Sequence, residues 1–208
     1  MMRISRSRFR VKSLLIILCA TSVITALGIA STFTVNAAQN AASTWKSSFG
    51  LEGCDFASTG SNAYFVLEPG SQLVLENKKA PGIEQLQLVI IVTNDTKTVN
   101  GIQTRVVEER ETEDGELVEV SKNYLAICKP FDDIYYFGKQ VDEYNDDGKT
   151  VGHEGTWEAG IEGARAGMIM PGKAAVGFKH YQEFAPGIAE DRAEIISLNV
   201  SLDTPAVI

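Results

Sequence analysis

The residues best placed to hold an ion lie around position 145. Glu143, Asn145, Asp147, Gly148 and Glu154 fall at positions 1, 3, 5, 6 and 12 of a calcium-loop spacing. Alternate oxygens at that spacing can converge on one cation, and glycine permits the sharp turn between them. Against this reading, position 1 is Glu rather than Asp, Val151 puts an apolar side chain at position 9, and no helical pattern flanks the loop. A solvated hairpin tip fits the same residues and is the reading we prefer. Acid–base chemistry would have to draw on His153 with Glu154, or on His180 with Glu183, because the chain has only two histidines. On a strand His180 and Glu183 face opposite ways, and no Gly-x-Ser-x-Gly elbow accompanies either histidine. The carboxylate neighbours Glu108-Glu109, Asp132-Asp133 and Asp146-Asp147 also point apart on strands, whereas a glycosidase needs two carboxyls facing across a cleft. No catalytic residue is assigned, and no motif calls for a cofactor. Recognition of an apolar or neutral ligand has a better basis in Tyr135, Phe137, Trp157, Met170 and Tyr181, which could line a groove. The competing reading makes them core side chains.

These side chains belong to a chain whose N-terminus reads as an export signal. Arg3, Arg6, Arg8, Arg10 and Lys12 form a basic segment without acids, residues 14–35 carry no charge, and Val35-Asn36-Ala37 offers a small-residue cleavage site. That order is the signal-peptide pattern, with cleavage expected after Ala37 or Ala38. The 22 uncharged residues would also be long enough for an uncleaved anchor, since about 20 span a bilayer. In either case the domain faces outward, secreted or periplasmic. Cys19 sits inside the apolar run behind the bulky Leu18, which argues against a lipid anchor. Removing the five N-terminal cations from 19 basic residues leaves 14 against 27 acids, a net charge of −13. Such a chain repels nucleic acid and anionic lipid, so membrane contact is expected only through the N-terminal segment.

The mature part keeps two cysteines, Cys54 and Cys128. An oxidising compartment permits a disulfide between them, and two buried thiols are the alternative. Zinc is unsupported, because structural zinc needs four ligands and the two histidines lie far apart in sequence.

The framework is expected to be mainly β. Residues 38–62 read as a flexible or loosely packed arm, and residues 63–208 as one β-rich domain. Asn100-Gly101, Asp114-Gly115 and Asp147-Gly148 mark hairpin turns, since they supply the positive φ that tight turns require. Strands are expected over 63–67, 72–76, 85–92, a stretch ending near Val99, 102–112, 116–128, 134–137, 141–145, 149–153 and 178–184, with a further strand or short helix within 190–202. In 116–128, Val118, Val120, Tyr124, Ala126 and Cys128 share a side, and Glu119, Ser121 and Asn123 point to the opposite, wet one. Residues 157–175, rich in Gly and Met, are expected to form an ordered loop folded across the sheet. The architecture is then a twisted antiparallel meander sheet or half-barrel, preceded by an N-terminal signal helix.

Several motifs carry a resemblance. They are Ile134-Tyr135-Tyr136-Phe137-Gly138, Glu154-Gly155-Thr156-Trp157-Glu158-Ala159-Gly160, Gly167-Met168-Ile169-Met170-Pro171, Tyr181-Gln182-Glu183-Phe184 and Pro186-Gly187-Ile188-Ala189-Glu190-Asp191. Over residues 64–198 the chain resembles a family of uncharacterised secreted bacterial proteins that carry these motifs as WYFGE, EGSWEAG, GIIMP and PGEAED. The resemblance implies export and a β-sheet domain, with no activity to carry over. Members of that family continue past the segment matching 191–198 with further strands, so this chain looks short at its C-terminus, which could leave a sheet edge or core face uncovered. The function expected is a non-enzymatic binding or structural domain for a small molecule or an envelope protein. The alternative is a hydrolase or a calcium-stabilised extracytoplasmic enzyme.

Overall fold

Two glycine turns set the centre of the sheet. A computed structural model of the chain describes residues 45–78 and 80–201, so the expected signal helix and anchor lie outside the described residues. Asn100 and Gly101 adopt φ of 49° and 80°, and Asp114 and Gly115 adopt 50° and 90°. These pairs close hairpins between β3 (Leu86–Val99) and β4 (Ile102–Glu113), and between β4 and β5 (Glu116–Cys128). Positive φ at both central residues matches the right-handed twist of the flanking strands. Residues 129–132 lead from β5 into β6 (Asp133–Tyr144), and Gly148 (φ 69°) helps turn the chain into β7 (Thr150–Gly152). With β2 (Gln72–Glu76), the order across the open, antiparallel sheet is β2-β3-β4-β5-β6-β7.

Several elements depart from the expected pattern. Residues 63–67 form no strand, and only Val66 bridges to Ser61. Strand β3 runs on to Val99 as one element, broken in register between Val92 and Thr96. The carbonyls freed there are taken up by the buried Arg105 guanidinium, which donates to Asn94 O (2.8 Å), Asp95 O (3.2 Å) and Thr93 O (3.4 Å). The same side chain reaches Ser58 O at 2.9 Å. Five N–H donors in a fixed fork suit such a junction of carbonyls.

The segment read as a loose arm is tied down wherever it is described. In β1 (Phe56–Ala57), Phe56 pairs with Cys128 and Ala57 with Ile127, and Cys54 is disulfide-bonded to Cys128 with Cα atoms 5.0 Å apart. Phe56 packs edge-on against Tyr135 (5.7 Å) and Phe137 (5.4 Å), and Phe49 against Tyr135 (5.6 Å). Phe49 and Phe56, at either end of the irregular stretch 50–55, supply that grip without helical or strand periodicity.

The opposite face of the sheet is covered too. Ser121 and Asn123, expected in water, are buried. Residues 157–175 are mostly loop, with two short strands tied into the sheet. Their strands β8 (Trp157–Glu158) and β9 (Gly167–Met170) pair with β6. The following residues form a separate ribbon of β10 (Lys179–Tyr181) with β11 (Arg192–Glu194). Between these strands the chain passes so close that a Cβ on Gly167 would lie 2.1 Å from Gln182 O.

A bulge in β6 decides which side chains meet. Tyr136 pairs with Leu125 and Lys139 with Asn123, so Phe137 and Gly138 together oppose Tyr124 alone. An extra residue reverses the alternation beyond it, and Lys139 therefore joins Tyr136 on one face while Phe137 faces the other. Gly138 (φ 140°) makes this possible, since a Cβ there would lie 2.3 Å from Trp157 O.

Two substitutions test this framework. Replacing both Cys54 and Cys128 by Ser opens a loop with a sequence separation of 74. Loop-closure entropy puts the loss at about 4 kcal/mol, readable by denaturant unfolding. Gly138→Ala is expected to destabilise by about 2 kcal/mol or more through positive φ and backbone overlap, while Gly101→Ala, at an open turn, costs less by the same measurement.

Candidate functional site

The bulge assembles a buried polar cluster. Lys139 Nζ lies 3.0 Å from Glu183 Oε1, and both side chains are nearly sealed from solvent. The Tyr136 hydroxyl donates to Asn123 Oδ1, and Asn123 Nδ2 donates to Val107 O and Ser121 Oγ, each at 3.2 Å. Trp157, opposite Lys139 in register, packs on Tyr136 with ring centres 5.5 Å apart. The indole N–H lies close enough to Glu183 to favour its charge, yet neither Trp157 Nε1 nor Glu183 Oε2 has a partner of hydrogen-bond geometry among the described residues. The indole is thus an electrostatic neighbour of the carboxylate.

The electrostatics follow from one ammonium facing two carboxyls. Glu109, on the same face of β4, is pushed up to about 7, chiefly by burial, with Lys139 opposing and Glu183 adding to the rise. It keeps some exposed surface, which limits how far burial alone carries the shift. Burial raises Glu183 against the pull of Lys139. It also holds the Tyr136 phenol well above its usual range, with Glu183 and Glu109 contributing. A carboxyl poised near neutrality can serve acid–base chemistry, but the lysine is occupied by Glu183 and the tyrosine by Asn123. The cluster acts as a polar staple that holds the 182–184 segment on the sheet.

The residues singled out from sequence lie apart. Tyr135 and Phe137 are buried under Phe49 and Phe56, whereas Trp157 is buried on the other face with Tyr136. Met170 stands opposite Ile134 in β9, and Tyr181 packs in the β10–β11 ribbon against Phe184 at 5.2 Å. These five residues line no common groove, because β alternation and the bulge send them to different faces. Trp157 borders a hollow of about 210 Å3 between Ile161, Ala164, Ala185, Pro186 and Ile188. Small-molecule sites usually offer roughly 300–1,000 Å3.

The calcium spacing forms a hairpin tip. Asn145 Oδ1 accepts from the backbone N–H of Asp147 (3.1 Å) and Lys149 (3.0 Å), capping its own turn. Glu143 lies against Gly152, and Glu154 is exposed. Among the described residues no group of three or more His, Cys, Asp or Glu side chains is placed to hold a metal. The histidines are dispersed. His153 is mostly exposed and its Nδ1–H donates to Val141 O at 2.8 Å, with Asp142 at 3.0 Å. His180 is 1% exposed, stacked on Phe178 with ring centres 4.8 Å apart, and neither ring nitrogen has a partner among the described residues. Burial, with help from Lys46, depresses it to about 4.

Sequence reasoning passed over the outer edge of β2. Its five residues are all exposed, including Leu73 (52%), Val74 (46%) and Leu75 (45%). Only β3 pairs with it among the described residues. Val92 N–H donates to Ser71 O, and Asn77 N–H to Leu86 O. Antiparallel ladders alternate, so Leu73 and Leu75 also turn their backbone groups to β3, and Gln72, Val74 and Glu76 turn theirs outward. The run Gln-Leu-Val-Leu-Glu, free of Lys and Pro, is the signal that could have found it. No family model, curated protein or solved structure matches the chain.

Opposed shifts give a pH test. Glu109 binds its proton more tightly folded than unfolded, so its contribution to stability is lost as pH rises from 4.5 through about 7. His180 binds its proton less tightly folded, so its contribution is lost as pH falls from 6.5 toward about 4. Glu109→Gln should gain on the order of 1 kcal/mol relative to the parent between pH 5 and pH 8. His180→Phe should gain relative to the parent on moving from pH 8 to pH 5. Thermal unfolding across that range reads both.

Proposed function

We propose that this chain is an exported, non-enzymatic interaction or structural domain that docks a protein partner by strand addition along β2. The observation that carries this reading is the edge left open among the described residues, where outward backbone groups at Gln72, Val74 and Glu76 coincide with exposed Leu73, Val74 and Leu75. Added strands are held by main-chain hydrogen bonds and specified by alternate side chains. Natural sheet edges are commonly blunted by Lys, Pro or a bulge, and β2 has no Lys, Pro or break in register.

Export is supported by the basic, apolar and small-residue order of the first 37 residues and by the resemblance over 64–198. The Cys54–Cys128 bond is at home in an oxidising compartment. A protein partner is favoured over a small ligand because the aromatic side chains expected to line a groove are used in packing. The hydrolase and calcium readings lose support from the separation of His153 and His180 and from the self-capped turn at Asn145.

The test compares the exported protein with its Val74→Pro variant, both recovered from the extracytoplasmic fraction under native conditions. Proline at 74 removes only an outward N–H, so it spares the pairing with β3. The parent should run as a complex larger than its own chain and the variant as a free chain, with unfolding midpoints within a few degrees. Identical sizes would overturn the edge-docking reading.

A further inference from the structure

We infer that the occupant of the β2 edge is a second copy of this chain, added antiparallel about a two-fold axis through Val74; this rests on the edge-docking reading above. Residues 72–76 read Gln-Leu-Val-Leu-Glu, which is nearly palindromic about Val74. A two-fold antiparallel pair brings each residue opposite its mirror position. Val74 then meets Val74 of the second copy, Leu73 meets Leu75, and Gln72 meets Glu76. Isologous contacts of this kind require a self-complementary surface.

The hydrogen-bond parity fits the same axis. The residues whose backbone groups point outward are Gln72, Val74 and Glu76, symmetric about Val74. Each meets an outward-pointing residue of the other copy, so both N–H and C=O at all three positions find partners. Moving the axis to Leu73 would set Ser71 opposite Leu75 and Gly70 opposite Glu76, losing the leucine match.

Side chains and charge agree. Leu73 stands beside Ile90, and Leu75 beside Leu88. Pairing extends that apolar strip with two leucines from each copy, and Val74 packs on the other face with Val89 of β3. The domain is strongly acidic, yet Glu76 is the only charged residue in β2. Glu76 already accepts from Gln87 Nε2 of its own sheet. Across the axis it meets the neutral Gln72, so no like charges oppose one another, an arrangement that would be destabilising.

The experiment uses the exported protein with its disulfide intact. Sedimentation across a concentration series should show a monomer–dimer equilibrium, and Val74→Pro and Val74→Lys should each weaken it at least tenfold without lowering the unfolding midpoint by more than a few degrees. Val74→Cys should cross-link to itself under mild oxidation, since opposed Cα atoms in such a pair lie about 5.5 Å apart, within disulfide reach. Val151→Cys, exposed on β7, is the control and should not cross-link faster than random collision allows. A monomer at every concentration, or equal cross-linking at 74 and 151, overturns the self-pairing. Amide exchange in the monomer then separates the two readings. Fast exchange at Gln72, Val74 and Glu76 leaves the edge open for a different partner strand. Slow exchange there shows the edge covered within the chain, and edge docking fails as well.

Discussion

Much of this structure depends on one position without a side chain. Gly138 lets the carbonyl of Trp157 approach where a Cβ would collide, and it absorbs the positive φ of the β6 bulge. The bulge turns Lys139 from the aromatic face toward Tyr136. Glu183 can then meet an ammonium inside the covering layer, and burial of Ser121 and Asn123 follows. Without the bulge, regular alternation would point Lys139 into the layer occupied by Phe56 and Phe137, where an unpaired charge is costly.

The two faces are closed by different means. On one, aromatic side chains from residues 49–56 and a disulfide hold an irregular segment onto the sheet. On the other, short strands and a buried ion pair do the holding. Buried pairs of this kind cost desolvation that only good geometry and further hydrogen bonds offset. Here the indole of Trp157 favours the Glu183 carboxylate only as an electrostatic neighbour, and Glu183 Oε2 has no hydrogen-bond partner among the described residues. Glu109, raised chiefly by burial and further by Glu183 against the pull of Lys139, is the second carboxyl facing that one lysine. The β2 end of the sheet has neither kind of cover among the described residues, and apolar surface is left exposed there.

That contrast is what the proposed docking along β2 rests on. Strand addition needs backbone groups that face out and side chains that gain from burial, and β2 offers both over five residues. A near-palindrome also allows a strand to pair with itself in one register rather than several, and register on exposed edges is otherwise weakly specified.

The sequence by itself determined the local geometry. Asn100-Gly101 and Asp114-Gly115 announced two hairpins because few residues tolerate positive φ, and alternation announced the antiparallel strands of the meander. It left the pairing of Cys54 with Cys128 open and read Ser121 and Asn123 as solvated, because period 2 separates two faces without saying what covers either. Tertiary structure alone decided that the five aromatic and methionine positions would not share a groove. It alone brought Lys139, Glu183, Glu109 and Tyr136 together from three separate stretches of chain. The physical reason is that a bulge and a close backbone approach depend on what lies across from a residue, and that neighbour is not written beside it in the sequence.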